Sequence, residues 1–521
     1  MNSSIKNFVK RLAKFVISKS STANKLYRFA ALRLGLWQHR GAKTRRPVIY
    51  SIVCNPGIFD SRVMKQARSL QDAGYDVKLY ATKRDDLPDT HVVDGIEVRR
   101  FKPFDINIKM TDAERSGVLR LFGEDRALVV ANLHEVGCLG ADIATLLGQY
   151  TAISRQIARL SESDPDWAAG VAERELLRYK VKELTDYRRR VTLERRVFVY
   201  TYYFAANFLA QNFPETPTVI HSHDIYPLPG AIELARRTGA RVVFDAHEIE
   251  TERLPPLTPP KKSFVDRVER LWLSQIDHLI VCCDSAADFY AERFTKRRPQ
   301  VVMNAPLMLE EHRTDFNLRT ACGIDATQPL IIYTGGVGGE ARGLHLVAEA
   351  MCRLPEFHLA VLGPRNPDYD RWLTEKSAAV GVLDRIHLLP PVPPEQVVAA
   401  TRMADVGVCP IQDASLSYRY AMPNKLFEMA FTGMPICVSN LPEMARFVLE
   451  NEVGVVMDQT DPIDIARALR ETYERREQLR KTDGQLQSLL NKYAWPVQAE
   501  KLLQAYKIME EVDVYPINAA A

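Results

Sequence analysis

From Pro47 onward, short apolar and β-branched runs alternate with longer stretches of helical period, a pattern that predicts parallel strands joined by crossover helices. Predicted strands lie at 48–53, 77–81, 96–101, 219–222, 242–245, 278–283 and 301–303. A second series of similar size follows at 330–334, 358–362, 386–389, 406–409, 435–438 and 454–456. The weakly periodic loop at 304–317 is the natural hinge between them. Two doubly wound domains are therefore expected, and such sheets bind ligands beyond the carboxyl ends of their strands, so a pair of them makes one shared cleft. An insertion at about 104–214 is mostly helical by pattern. Its part 172–196 alternates Glu, Lys and Arg, with Arg188, Arg189 and Arg190 in a row, and reads as a solvated helical hairpin, with an acceptor-binding or membrane-touching role as the alternative.

The pattern upstream of Pro47 is different. Ile5, Phe8, Val9, Leu12, Phe15 and Val16 recur on one helical face, with Lys6, Lys10, Arg11, Lys14 and Lys19 opposite. A second segment, 26–37, repeats this with Phe29, Leu32, Leu36 and Trp37. Charge sharpens the reading: the 521-residue chain has a net charge of +4, but residues 1–46 hold six Lys, six Arg and no acid. The arm thus carries +12 and the remainder −8. A basic arm with so many large apolar residues predicts contact with an anionic membrane surface and no nucleic-acid partner. Lys10, Arg11 and Lys14 interrupt any signal-peptide core. No run of 18 strongly apolar residues is evident, and the uncharged 197–214 reads as a buried helix. The eight cysteines form no C-x-x-C pair, and Cys282 and Cys283 fall in a predicted strand. The expected location is cytoplasmic, peripheral on the inner face of the cell membrane.

Two stretches carry candidate chemistry. After the strand 330–334 comes Gly335-Gly-Val-Gly-Gly339 and then Arg342, where glycine-exposed amides and a fixed cation suit a diphosphate. Gly336, Gly338 and Ala341 also meet the loose G-x-G-x-x-A spacing, but the strand at 359–364 ends without an acid to hold a ribose, which weakens a nicotinamide reading. More informative is Tyr420-Ala-Met-Pro-Asn-Lys-Leu-Phe-Glu-Met-Ala-Phe-Thr-Gly-Met-Pro-Ile436. Pro423 suits a first helical turn, the helix runs through Glu428 to Gly433, and Lys425 at its start could face a diphosphate while Glu428 faces a ribose diol. In the first domain, His221-Ser-His-Asp224 and Asp245-Ala-His-Glu248 stand at strand ends. An isolated His-x-His is more often structural than metal-binding, and no third ligand stands out.

Over about 47–511, apart from the insertion, the chain resembles the glycosyltransferase family 4 group, retaining enzymes of the two-domain GT-B fold. The run 423–435 resembles the family's P-x-K-x-x-E-x-x-x-x-G-x-P signature. The resemblance implies an α/β GT-B architecture: arm 1–46, acceptor domain 47–310, donor domain 311–494, and 495–521 as a terminal helix crossing back to the first domain, with a tail. It implies hexosyl transfer from a UDP- or GDP-linked sugar to a membrane-associated, lipid-linked saccharide of bacterial surface polysaccharide synthesis, with no metal or further cofactor. Implied catalytic residues are His223, beside the donor sugar, with Arg342 and Lys425. Implied donor contacts are Gly57, Gly335, Gly336, Asn424 and Glu428. Asp60, Arg62, Asp224, His247 and Glu248 would line the acceptor side. The first Glu of the family's E-x7-E motif is replaced by Tyr420, and its Gly-Arg by Gly335-Gly336. A catalytically silent nucleotide- or glycan-binding scaffold at the membrane is the alternative.

Overall fold

The computed structural model describes residues 46–511 except 58–59, 106–107, 162, 295–297, 308–313 and 394–395. The predicted arm, apart from Arg46, the middle of the predicted hinge and the tail beyond 511 lie outside the described residues. The first sheet contains β1 (Val48–Ile52), β2 (Asp76–Thr82), β3 (Thr90–Val93), β4 (Ile96–Phe101), β5 (Val219–His223), β6 (Arg241–Ala246), β7 (His278–Val281) and β8 (Gln300–Val301). Their order is β3-β4-β2-β1-β5-β6-β7-β8. The second contains β9 (Leu330–Thr334), β10 (His358–Leu362), β11 (Ile386–Leu389), β12 (Val406–Cys409), β13 (Ile436–Ser439) and β14 (Gly454–Met457), in the order β11-β10-β9-β12-β13-β14. Central strands such as β1 and β9 are buried along their whole length, as unbroken apolar runs covered on both faces must be. In each sheet the strand order reverses beside the first strand, at β1/β5 and β9/β12, and these crevices form the cleft.

Two predicted features are corrected here. The edge strand β3, antiparallel to β4, is absent from the predicted set, because its alternating exposure gives no apolar run. The predicted strand 278–283 ends at Val281, which releases Cys282 toward the cleft.

The first-domain helices that matter for the site are α1 (Ser61–Asp72), then α2 (Asp112–Arg120), α3 (Arg126–Ile157), α4 (Pro165–Glu194) and α5 (Arg196–Leu209) within the insertion. α5 packs on the sheet through Phe204 against Phe101 and Phe208 against Tyr80, with ring centroids 5.2 and 5.5 Å apart. α3 and α4 fold back on one another as a long hairpin. The expectation that no apolar stretch reaches 18 residues is also corrected. By length and composition the helical segment Gly123–Ile157 suffices to cross a membrane, although Gly, Ala and Thr dilute its large apolar residues.

The donor-side helices are α6 (Leu344–Ala350) and α7 (Asn424–Ala430), and the chain returns to the first domain as α8 (Trp495–Glu511). Trp495 is buried there and its indole donates to Ser69 Oγ at 3.0 Å. Tyr506 hydroxyl lies 2.7 Å from His221 Nδ1, and Gln498 Oε1 accepts from Met303 N at 3.0 Å. Across the cleft, Ile249 N donates to Ser417 Oγ at 3.1 Å and Ser285 N to Glu443 Oε1 at 2.8 Å.

Candidate active site between two sheets

On the second domain, the loop after β9 is held against the loop after β12. Gly343 has φ +72°, and a Cβ there would sit 1.9 Å from Pro410 O, so only glycine permits this approach. Gln412 N donates to Ala341 O at 3.0 Å alongside. The result fixes Arg342 at the cleft, its guanidinium 5.6 Å from the Tyr418 ring centroid. Lys425 is 7% exposed, and its ammonium stands 3.5 Å above the Tyr333 ring with no hydrogen-bond partner among the described residues. Burial lowers its pKa to about 7, with the Arg342 charge adding to the effect and Cys409 and Glu428 opposing it. Glu428 is half-buried three residues on, its pKa raised by burial and held back by Lys425 and Lys65.

Lys65 was not foreseen. It comes from α1, donates to Asn304 Oδ1 at 3.0 Å and Ala305 O at 2.6 Å, and has a pKa lowered to about 7 by burial and by Arg62. The predicted helix after Pro423 is also corrected. Pro423 is its extended N-cap, and α7 ends at Ala430 rather than at Gly433. α6 begins only after a 3-10 turn at Glu340–Arg342. Both helices have seven residues, so the positive charge here comes from Arg342 and Lys425 rather than from helix ends.

The first-domain half is organised by Asp245, a fully buried carboxylate at the end of β6. Arg62 grips it with Nε at 2.8 Å and Nη2 at 2.6 Å, and Gln66 Nε2 donates to it at 2.8 Å. His247 Nε2 lies 3.2 Å from the same carboxylate, while His247 Nδ1 lies 3.4 Å from Asp224 Oδ2. Burial would lower the pKa of His247, but Asp224 and Asp245 outweigh it and hold the imidazolium with a pKa of about 9. Asp224 adopts φ +62°, a left-handed conformation uncommon outside glycine. Its carboxylate also accepts from His247 N at 3.1 Å.

His223 is buried, its Nε2 3.0 Å from Ser51 Oγ and its Nδ1 3.3 Å from His247 Nε2, and burial lowers its pKa despite Asp245. The histidine bordering the cleft is His247. Arg62 reaches the cavity wall, but its charge is committed to Asp245 and its Nη1 to Val302 O. Asp60 borders the cavity as the cap of α1, accepting from Arg62 N, Val63 N and Asn55 Nδ2. Gly57 is buried with φ +85°, where a Cβ would meet Leu79 and Ala81, so the turn here calls for glycine.

A cavity of about 270 Å³ joins the two halves. His247 and Glu248 border it from one side, and Arg342, Tyr418, Tyr420 and Asn424 from the other. Tyr420 thus occupies the cleft at the position of the family's missing glutamate. Gly335, Gly336, Asp224, Lys425 and Glu428 are not among the residues that line the cavity. Cys282 joins the lining, unforeseen because its segment read as strand interior. A third potential metal ligand, also not apparent in the sequence, does emerge: ligand atoms of His221, His223 and Asp245 lie within 4.8 Å of one another. Both Asp245 oxygens already accept from Arg62, which disfavours a cation there.

Comparison with known proteins settles the family. Residues 161–305 match the model of the glycosyl transferase 4-like domain, and residues 328–475 that of glycosyl transferases group 1. The two matches fall in order on the two domains that face the cleft. The chain is a family 4-like glycosyltransferase. This glycosyltransferase is 24% identical over 322 residues to a D-inositol 3-phosphate glycosyltransferase of Nocardia farcinica, covering 58% of this chain and 70% of the relative. It is 35% identical over 124 residues to that of Corynebacterium efficiens, covering 23% and 28%. Among solved structures its fold is similar to sucrose-phosphate synthase from Thermosynechococcus elongatus, with TM-score 0.61 and 13% identity over 89% of this chain and 99% of that one. Anabaena HepE in complex with UDP-glucose is similar at TM-score 0.54 and 10% identity, over 89% and 100%. The glycosyltransferase therefore has the GT-B fold, two Rossmann-like domains about one cleft.

Proposed function

We propose that this glycosyltransferase moves a hexose, with retention, from a nucleotide diphosphate sugar to a lipid-linked saccharide presented at an anionic membrane in surface polysaccharide synthesis. The observation that carries the donor reading is Lys425, a buried amine with no hydrogen-bond partner among the described residues, set beside Arg342 at the cleft. A buried ammonium is costly alone and becomes favourable once an anion neutralises it. In the reaction, negative charge builds on the departing diphosphate as the anomeric bond breaks, and Arg342 and Lys425 meet it in a site shielded from water. Glu428 accepts from the ribose diol. Asp224 and Asp245 hold the His247 imidazolium at the cleft, where it orients the sugar in the role first given to His223. The amphipathic arm supports the membrane location, and the acceptor follows from that location.

The test is transfer from radiolabelled UDP-glucose or GDP-mannose to lipid extracts of a polysaccharide-producing bacterium. Label is expected in the organic phase with wild type and about tenfold or more below it with Glu428→Gln, in keeping with loss of a charged hydrogen bond of roughly 1.5–3 kcal/mol. Label found only in water-soluble acceptors would overturn the lipid-linked part.

A further inference from the structure

We infer that Asn304 contacts the substrate and that Lys65 is its positioning residue, setting the amide so that its NH2 group meets an oxygen of the nucleotide sugar. The inference rests on the donor reading above and adds to it two residues that lie outside both the glycine loop and the 423–435 run. Asn304 borders the cavity, and it shares that lining with Cys282 of the first domain and with Pro423 and Asn424 of the second. Its side chain therefore stands where the two domains meet.

The backbone that carries Asn304 is tied down at five consecutive residues, although the predicted hinge begins here. Val302 O accepts from Arg62 Nη1 at 2.7 Å, and Met303 N donates to Gln498 Oε1 at 3.0 Å. Lys65 Nζ donates to Asn304 Oδ1 at 3.0 Å and to Ala305 O at 2.6 Å, and Pro306 O accepts from Trp495 N at 3.4 Å. Side chains of α1 and α8 supply most of these bonds, so Asn304 reaches the cleft from a fixed support. A polar group held in this way is preorganised for a ligand.

The direction of the amide follows from the chemistry of its contact. As an ammonium Lys65 can only donate, so Asn304 turns its oxygen toward it. The other end, Nδ2 with two N–H groups, donates to none of the described residues. Asn304 is half-buried, and an amide whose oxygen is engaged at the wall leaves those donors for an oxygen in the cavity. Lys65 is itself buried and is not among the residues that line the cavity. Its ammonium is spent on the Asn304 amide, the Ala305 carbonyl and the Trp495 ring 4.8 Å away, so it acts on the substrate through Asn304. A sugar hydroxyl and a diphosphate oxygen both accept such a bond.

The test is calorimetric binding of UDP-glucose, GDP-mannose and ADP-glucose, and of UDP, GDP and ADP, to full-length wild type, Asn304→Ala, Asn304→Asp, Lys65→Met and Lys65→Met/Asn304→Ala. For whichever sugar nucleotide wild type binds, both Asn304 variants are expected to bind about tenfold more weakly, as loss of a hydrogen bond to the ligand requires. Asn304→Asp keeps an oxygen for Lys65, so it tests the contact even if Asn304→Ala does not fold, and Lys65→Leu takes the place of Lys65→Met on the same ground. An equal loss of affinity of Asn304→Ala for the matching diphosphate would place the oxygen on the diphosphate; unchanged affinity for it would place the oxygen on the sugar. Lys65→Met is expected to weaken binding severalfold, yet to add nothing to Asn304→Ala in the double variant, because it acts through that residue. Wild-type affinity in both Asn304 variants would overturn the contact. Additive losses in the double variant would overturn the positioning role of Lys65, since a merely structural lysine would weaken both backgrounds alike. A wild type that binds none of the three sugar nucleotides and none of their diphosphates would overturn the donor reading itself.

Discussion

Lys425 is the residue on which the chemistry turns. Its pKa of about 7 in the folded protein, against an ordinary 10.5, means that between those values the unfolded chain holds a proton the folded one lacks. This residue therefore makes stability rise with pH across that window, and a bound diphosphate reverses the effect by raising the pKa again. At pH 8.5, binding of whichever of UDP, GDP or ADP associates is expected to take up close to one proton. Calorimetry in buffers of different ionisation enthalpy measures it, and no uptake would mean the diphosphate does not reach Lys425. Lys425→Ala and Arg342→Ala are each expected to lower kcat/KM more than tenfold, and the double variant to deviate from additivity, since both cations face one group. Steady-state kinetics that show small, independent effects would place the diphosphate elsewhere. Lys425 and Glu428 stand out in the sequence through the spacing of the 423–435 run, and Arg342 through the glycine loop before it. Lys65, Asp245 and Cys282 do not, since each acquires its meaning from partners more than a hundred residues away or from where a strand happens to stop. His223 and His247 stand at the ends of neighbouring strands, and only packing shows that His247 is the one bordering the cleft.

Two elements hold the cleft in shape. The turn at Gly343 presses the loop after β9 onto Pro410, so Gly343→Ala is expected to destabilise the donor domain by about 1–3 kcal/mol and to lower activity by displacing Arg342. Calorimetric melting checks the first effect; an unchanged melting temperature would show that the turn can relax. Helix α8 closes the first domain with Trp495, whose ring also lies 4.8 Å from the Lys65 ammonium. Trp495→Ala should lose about 3–5 kcal/mol as a buried large-to-small change, measurable by urea unfolding. Strand positions were readable to within one or two residues because buried parallel strands are nearly pure apolar runs. β3 escaped because an edge strand facing water on one side has no such run. The apolar character of α3 escaped because small residues carry it, so a search for large apolar side chains passes over the segment.

At the scale of the whole molecule, two sheets whose strand orders reverse at β1/β5 and β9/β12 leave one cleft, and the cationic group lies on one side of it while the Asp224–His247–Asp245 array lies on the other. That division was foreseen from two strand series and a hinge; the closeness of the two halves, bridged at Ile249–Ser417 and Ser285–Glu443, required the structure. The central claim is that the cleft holds a nucleotide diphosphate sugar through Lys425 and Arg342. The most direct measurement is thermal unfolding of wild type and Lys425→Ala across a panel of UDP-, GDP- and ADP-sugars. One donor at a hundredfold its Kd should stabilise wild type by about 2.7 kcal/mol and leave Lys425→Ala little changed at the same concentration. Equal stabilisation of both proteins, or none of wild type by any member of the panel, would contradict it.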